Sequence, residues 1–218
     1  MKKNILANSI AEAMVVMLVI LIGVTGSYQM FSQSIKTVDS SEYKIRAISM
    51  AKEWLEAVNN IRDTNWILFK WDLPNCWNVL NYNISCFNDT GTTRDIREWS
   101  YRTYISTNNR WILEDYSWNL DYSESAYRNH FTVWLDDKWF FTQSGSLIVD
   151  EIKPPFTREI IIEYLDDWEN PVNNTSNISN EQKMKVTAKI QWVDSASNQV
   201  RKVEMSNILT NWANKKTN

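Results

Sequence analysis

Glycine is scarce in this chain, with 4 among 218 residues, where a share of about 7% would give roughly 15. That count excludes a glycine-rich loop wrapped around a phosphate. His130 is the one imidazole, so no His-rich metal site can form. The two cysteines, Cys76 and Cys86, are too few for a disulfide scaffold and form no CxxC. Paired in an oxidising compartment they would close one small loop; two unpaired thiols are the alternative. No stretch is dominated by Lys and Arg, and the formal net charge is −3. No nucleic-acid partner is expected from that balance. No nucleophile stands beside a supporting base, so neither an enzyme nor a cofactor is expected. His130, within Tyr127-Arg128-Asn129-His130-Phe131, reads as a strand or loop residue. Asp136-Asp137 and Asp166-Asp167 read as solvated turn acids rather than a Ca²⁺ site, and no metal is expected.

What is present is concentrated at the N-terminus. Lys2 and Lys3 precede a run that is strictly apolar over 13–24 and uncharged from 13 to 31. Positive charge on that side keeps the extreme N-terminus cytoplasmic and sends the remainder outward. The 22 residues 10–31 would span about 33 Å as a helix at roughly 1.5 Å per residue, enough to cross a bilayer. One acid, Glu12, stands at the mouth of the run. A carboxylate inside a bilayer costs about 2.5 to 3.5 kcal/mol on insertion scales, less near the interface. An anchor alone would do better with Ala or Leu at that position.

No Pro or Gly interrupts 31–62. Phe31, Val38 and Ile45 recur at intervals of seven, Ile48 and Leu55 form a second row, and Ala51 and Val58 a third. Lys36, Asp39, Glu42, Lys44, Lys52 and Glu56 supply the polar surface. The pattern predicts one long helix over about 10–61, apolar all round in its first half and amphipathic in its second.

A short basic leader, a small residue, four residues and then Glu before an apolar helix resembles the class III signal of type IV prepilins and type II secretion pseudopilins. The resemblance implies cleavage after Ala7 by a prepilin peptidase and methylation of the new N-terminal amine on Asn8. It implies that Glu12 pairs with the amine of a neighbouring subunit during assembly. An acid buried among helices is tolerable when an ammonium from another chain neutralises it. The sequence departs from the usual motif in having Ala7 for Gly and Asn8 for Phe. Partners implied are other pilin-like subunits, the peptidase, an inner-membrane assembly platform and membrane lipid. The implied location is the cytoplasmic membrane with the globular part outside, then a surface filament or the envelope. The competing reading is a conventional secretory signal, cut near Gly26 or Ser27, on a tethered or secreted adhesin-like β domain.

After Arg62 the periodicity changes, and Asp63-Thr64-Asn65 reads as a turn. Residues 183–194 alternate apolar and polar, the clearest strand in the sequence. Ser195-Ala196-Ser197-Asn198 reads as a turn into a second strand over 200–208. Residues 158–165 form a β-branched strand. Residues 100–106 and 111–116 form a hairpin, and 170–180 a polar loop. The fold class expected is α+β, with a long N-terminal helix packed on a C-terminal antiparallel sheet. Its divisions are a leader over 1–7, a helix over 8–62 that spans the membrane to about 31, and a β-rich domain over 63–218. Segments 56–66, 191–195 and 209–212 add to the likeness to pilin-like proteins.

Tryptophan is as abundant as glycine is rare, with 12 residues. Several lie where turns would favour glycine: Trp99, Trp118, Trp139 and Trp168. Such positions often need φ > 0, which suits glycine and not a bulky side chain. Some genetic codes read UGA as glycine and others as tryptophan. The composition therefore predicts that Trp54, Trp99, Trp118, Trp134, Trp139 and Trp168 are glycine in the cell. Trp66, Trp192 and Trp212 are expected to be genuine. Stacking of exposed indoles on sugars, and indoles as core, are the alternatives.

Overall fold

The computed structural model describes residues 4–71, 76–83, 96–116, 121–135, 141–143, 150–151, 156–166, 168–172, 183–194 and 197–210. Helix α1 runs over Asn4–Leu68. The chain divides into two compact units, Met1–Lys44 and Ile45–Asn218, and α1 contributes to both.

Within the first unit, the described residues are helix throughout. Its apolar side chains are exposed, including Phe31 at 66% and Val38 at 62%. The row of Phe31, Val38 and Ile45 is therefore not a packing face of this chain.

The second unit holds the sheet. Strands β1 (Ser100–Ile105), β2 (Trp111–Tyr116), β6 (Thr157–Leu165), β7 (Lys183–Asp194) and β8 (Gln199–Leu209) form one five-stranded sheet in the order β2-β1-β6-β7-β8. Every pairing is antiparallel. A small sheet joins β3 (Trp134–Leu135), β4 (Phe141–Thr142) and β5 (Asp150–Glu151) in the order β4-β3-β5. The second helix, α2, spans Ser125–Phe131. The fold is α+β, a long helix packed on an antiparallel sheet.

The expected hairpins form because alternation and turn chemistry agree. Asn109 at φ 55° and Asn198 at φ 52° take the left-handed turn positions of the β1–β2 and β7–β8 connections, which Asn tolerates better than most residues. On the helix-facing side of the sheet stand Tyr101, Ile160, Ile162, Tyr164, Met184, Val186, Ala188, Ile190 and Trp192, all buried. Ala47, Met50, Ala51, Trp54, Ala57, Val58 and Ile61 on α1 are buried as well. Their spacing of three and four residues makes a single seam. Full burial of each large apolar side chain is worth about 1.5–3 kcal/mol.

Two expectations are corrected. The helix continues through Asp63-Thr64-Asn65 instead of turning there. The buried Asn65 amide donates to the carbonyls of Trp77 at 3.2 Å and Val79 at 2.9 Å, a use for Asn that no local pattern shows. His130 lies in a helix, α2. Two turns are too short to show a period, but Tyr127 and Phe131, four apart, bury the inner side. Trp54 is fully buried in the seam of α1.

At the described tryptophans the backbone makes no demand for glycine. Among the described residues, those other than glycine with positive φ are Asn81, Tyr82, Asn109, Glu169 and Asn198. In the turn after β6, Glu169 takes the left-handed position beside Trp168. Trp118, Trp139 and Trp212 lie outside the described residues.

Candidate functional site

The N-terminal part of α1 is apolar on every side. Met14, Val15, Val16 and Met17 are exposed at 68%, 61%, 52% and 68%. Four successive helical positions, about 100° apart, point in four directions, so this is no one-sided stripe. The helix is long and apolar enough to cross a membrane. Two of its hydroxyls are satisfied within the helix. Thr25 Oγ1 donates to the carbonyl of Leu21 at 2.8 Å, and Ser27 Oγ to that of Gly23 at 2.8 Å. Such back-bonding leaves neither of these hydroxyls dependent on water, which suits an apolar surrounding. A Cβ added to Gly23 or Gly26 would meet nothing within 4 Å. Neither glycine is needed for a close approach within this chain.

Ala7 and Asn8 lie in the α1 backbone, and their side chains are outside the described residues. Glu12 is exposed on the same helix, among apolar neighbours that are also exposed. Among the described residues it makes no hydrogen bond or ion pair. The three residues of the motif thus share one rigid element, with Glu12 four residues, about one helical turn, after Asn8. The cysteine expectation falls elsewhere. Cys76 is buried beside Phe69 and Val79 and is disulfide-bonded, whereas Cys86 lies outside the described residues.

The second unit concentrates its polar chemistry on the other face of the sheet. The Glu159 carboxylate accepts from Ser100 Oγ at 2.5 Å, Tyr127 Oη at 2.7 Å and Lys189 Nζ at 3.1 Å. Burial and the neighbouring carboxylate both push the Tyr127 phenol well above its usual range, so it stays a donor. The cluster fastens α2 to β1, β6 and β7, and its carboxylate is fully engaged. Further along, Arg102 meets Glu114 at 2.8 Å, and Lys185 meets Glu163 at 2.8 Å. These are cross-strand ladders with a structural role.

Asp166 is engaged as well, accepting from the backbone N–H groups of Trp168 at 2.9 Å and Asn170 at 2.8 Å. These hydrogen bonds hold its carboxyl below the usual range. Asp136, Asp137 and Asp167 lie outside the described residues. Among the described residues, no cluster of His, Cys, Asp or Glu is arranged to hold a metal ion. His130 stacks on Tyr116 with ring centroids 3.9 Å apart. Burial, helped by Arg102, pushes its imidazole down to about 4.

Sequence reasoning passed over Arg158. Its side chain is fully buried, and its guanidinium carbon lies 3.1 Å from the Trp54 ring centroid. Among the described residues, all three guanidinium nitrogens lack a hydrogen-bond partner. Its Nη1 stands 3.9 Å from a Glu53 carboxylate oxygen, too long for a hydrogen bond. The alternation within β6, which puts Arg158 on the same face as Ile160 and Ile162, was the available signal.

Compared with protein families, curated proteins and solved structures, the chain matches none.

Proposed function

We propose that the protein is a structural pilin-like subunit, major or minor, of a type IV pilus or a type II secretion pseudopilus. One observation carries this reading. A helix exposed and apolar on all sides, with one acid near its start, belongs to the same α1 that packs on an antiparallel sheet. The exposed apolar length needs a covering that this chain does not provide. Lipid supplies it before assembly and the helices of other subunits supply it afterwards.

In this reading prepilin peptidase cuts after Ala7, and the amine of Asn8 becomes the mature terminus. An inner-membrane assembly platform then adds the subunit to the filament. Glu12 meets the Asn8 amine of a neighbouring subunit and sets the stagger between helices. A stray acid among apolar helices is costly, and an ammonium opposite it removes that cost in the correct register alone. The sheet faces outward and carries no catalytic role.

The test is Glu12→Ala in cells that make the filament. The variant is expected to fold and enter the membrane but to be poorly represented in sheared filaments. Normal incorporation would contradict the pairing role. Mass spectrometry of the mature N-terminus is the companion test. A chain starting at Asn8 supports prepilin processing. One starting near Ser27 replaces this reading with an adhesin-like domain behind a conventional signal.

A further inference from the structure

The two edges of the five-stranded sheet differ. One edge, β2, has 6 residues; the other, β8, has 11. Long open edges are liabilities that proteins normally blunt with short strands, proline, a bulge or charged side chains, Lys above all. β8 has no Pro and no Gly. Its register with β7 advances one residue for one, from Gln199 opposite Asp194 to Leu209 opposite Met184, so it holds no bulge. Among the described residues nothing pairs with its outer side. Val200 at 50% and Ile208 at 38% are exposed near its ends. Arg201, Lys202 and Glu204 stand between them, and Lys202 and Glu204, one of each sign on the same face, are 3.2 Å apart.

From this edge we infer a docking surface for a second copy of the chain, joined β8 to β8 in an antiparallel two-fold pair centred on Val203. Symmetry and charge select the register. Antiparallel strands side by side are related by an axis normal to the sheet. Residues of equal parity then stand opposite each other, and the helix-bearing faces lie on the same side. Centred on Val203, Lys202 faces Glu204 of the second copy and Glu204 faces its Lys202. The four charges alternate in sign around the axis, each keeping its partner within the chain and gaining one across it. Arg201 then lies opposite Met205, and Val200 opposite Ser206. A shift of the centre by one residue sets Lys202 against Lys202 or Glu204 against Glu204. Parallel pairing in register brings like charges together in the same way. Like charges directly opposite destabilise a strand pair, and opposite charges stabilise it. The edge is thus self-complementary in a single symmetric register. The inference does not depend on the filament reading, because it concerns β8 alone.

The experiment uses the full chain in detergent. In a two-fold pair one residue faces itself, so Val203→Cys is expected to give a disulfide-linked dimer. Its Cα–Cα distance across the axis falls in the range that disulfides accept. Val200→Cys, about 20 Å from its own copy at roughly 3.3 Å per residue, is expected to give none. In the Val203→Cys background, Lys202→Glu is expected to lower dimer yield about tenfold, and adding Glu204→Lys to restore it. Hydrogen exchange of the unaltered chain covers the case of a variant that folds poorly. The β8 amides should gain protection as protein concentration rises. Absence of a linked dimer in the Val203→Cys variant, together with concentration-independent exchange, would overturn the inference. So would cross-linking that ignores the charge reversal, or that is equal at positions 200 and 203.

Discussion

Two stretches of the one helix α1 behave in opposite ways. Over 10–31 the apolar residues are exposed on every side, whereas over 45–68 a seam from Ala47 to Ile61 is fully buried. Both stretches are helical, and both are rich in aliphatic residues. What separates them is the arrangement of polar residues. The first stretch has one charge, Glu12; the second interleaves Lys52, Glu53, Glu56, Arg62 and Asp63 with its apolar positions. Interleaving at helical spacing gives a side to bury and a side to wet. A run without it has no preferred side and needs an apolar surrounding from outside the chain. Helix formation is therefore common to both stretches, and the source of the burial is not.

The sharpest way to break this contrast is to make the same truncation in each stretch. Ile61→Ala removes a fully buried side chain and is expected to lower the unfolding free energy of the sheet-bearing unit by about 2–5 kcal/mol. Ile22→Ala, at a position 63% exposed, is expected to change it by less than about 0.5 kcal/mol. Thermal unfolding of the full chain in detergent, followed by the near-ultraviolet signal of the core aromatics, reads both. Equal losses would erase the distinction.

A smaller effect, opposite in sign, is expected at Arg158. Burial pushes its guanidinium far below the usual range, and Glu53 at 3.9 Å offsets little of that. Replacing a poorly compensated buried ion by an apolar side chain of similar length is stabilising in comparable cases by about 1–4 kcal/mol. Arg158→Met is therefore expected to raise the unfolding midpoint. A lowered midpoint would show that the guanidinium is better solvated than its surroundings indicate.

The smallest effect is a pH dependence confined to the second unit. His130 is held neutral in the fold, with its imidazole pushed down to about 4 by burial and Arg102, against Glu114. The ordinary value near 6.5 applies when unfolded. A depressed histidine supplies stability that is complete above about 6.5 and is lost as pH falls towards 4. The melting temperature is expected to decline over that window, and His130→Gln to flatten the decline. An unchanged slope in the variant would assign the decline to other groups.

Much of the fold was legible because its signals are local. The alternation over 183–194 predicts a strand with those bounds, and β7 is Lys183–Asp194. The asparagines at 109 and 198 mark turns through their tolerance of positive φ. Helix α2 and the end of α1 were misread because each depends on distant partners. Glu159 reaches Tyr127 and Lys189, and Asn65 reaches the Trp77 and Val79 carbonyls.

The tryptophans divide in the same way. Composition predicts glycine at six of them, and no described tryptophan has a left-handed backbone. Trp54 is the position where the two kinds of evidence meet. Its indole nitrogen is buried without a partner among the described residues, and the Arg158 guanidinium lies against its ring. Peptide masses from source cells, read across position 54, are expected to show glycine. Tryptophan at all six sites would end the recoding reading.

The sequence by itself determined the long helix, the extent of its lipid-like part, the place of Glu12 and the strands of the two hairpins. Each of these follows from periodicity, charge and turn chemistry within a few residues. Tertiary structure alone decided which row of α1 is buried, that β6 joins β1 to β7, that Arg158 lies in the core and that β8 is an edge among the described strands. Those outcomes depend on which surfaces meet across the fold. A residue's own neighbours in the chain cannot specify that, because burial is a property of the pair of surfaces and not of either one.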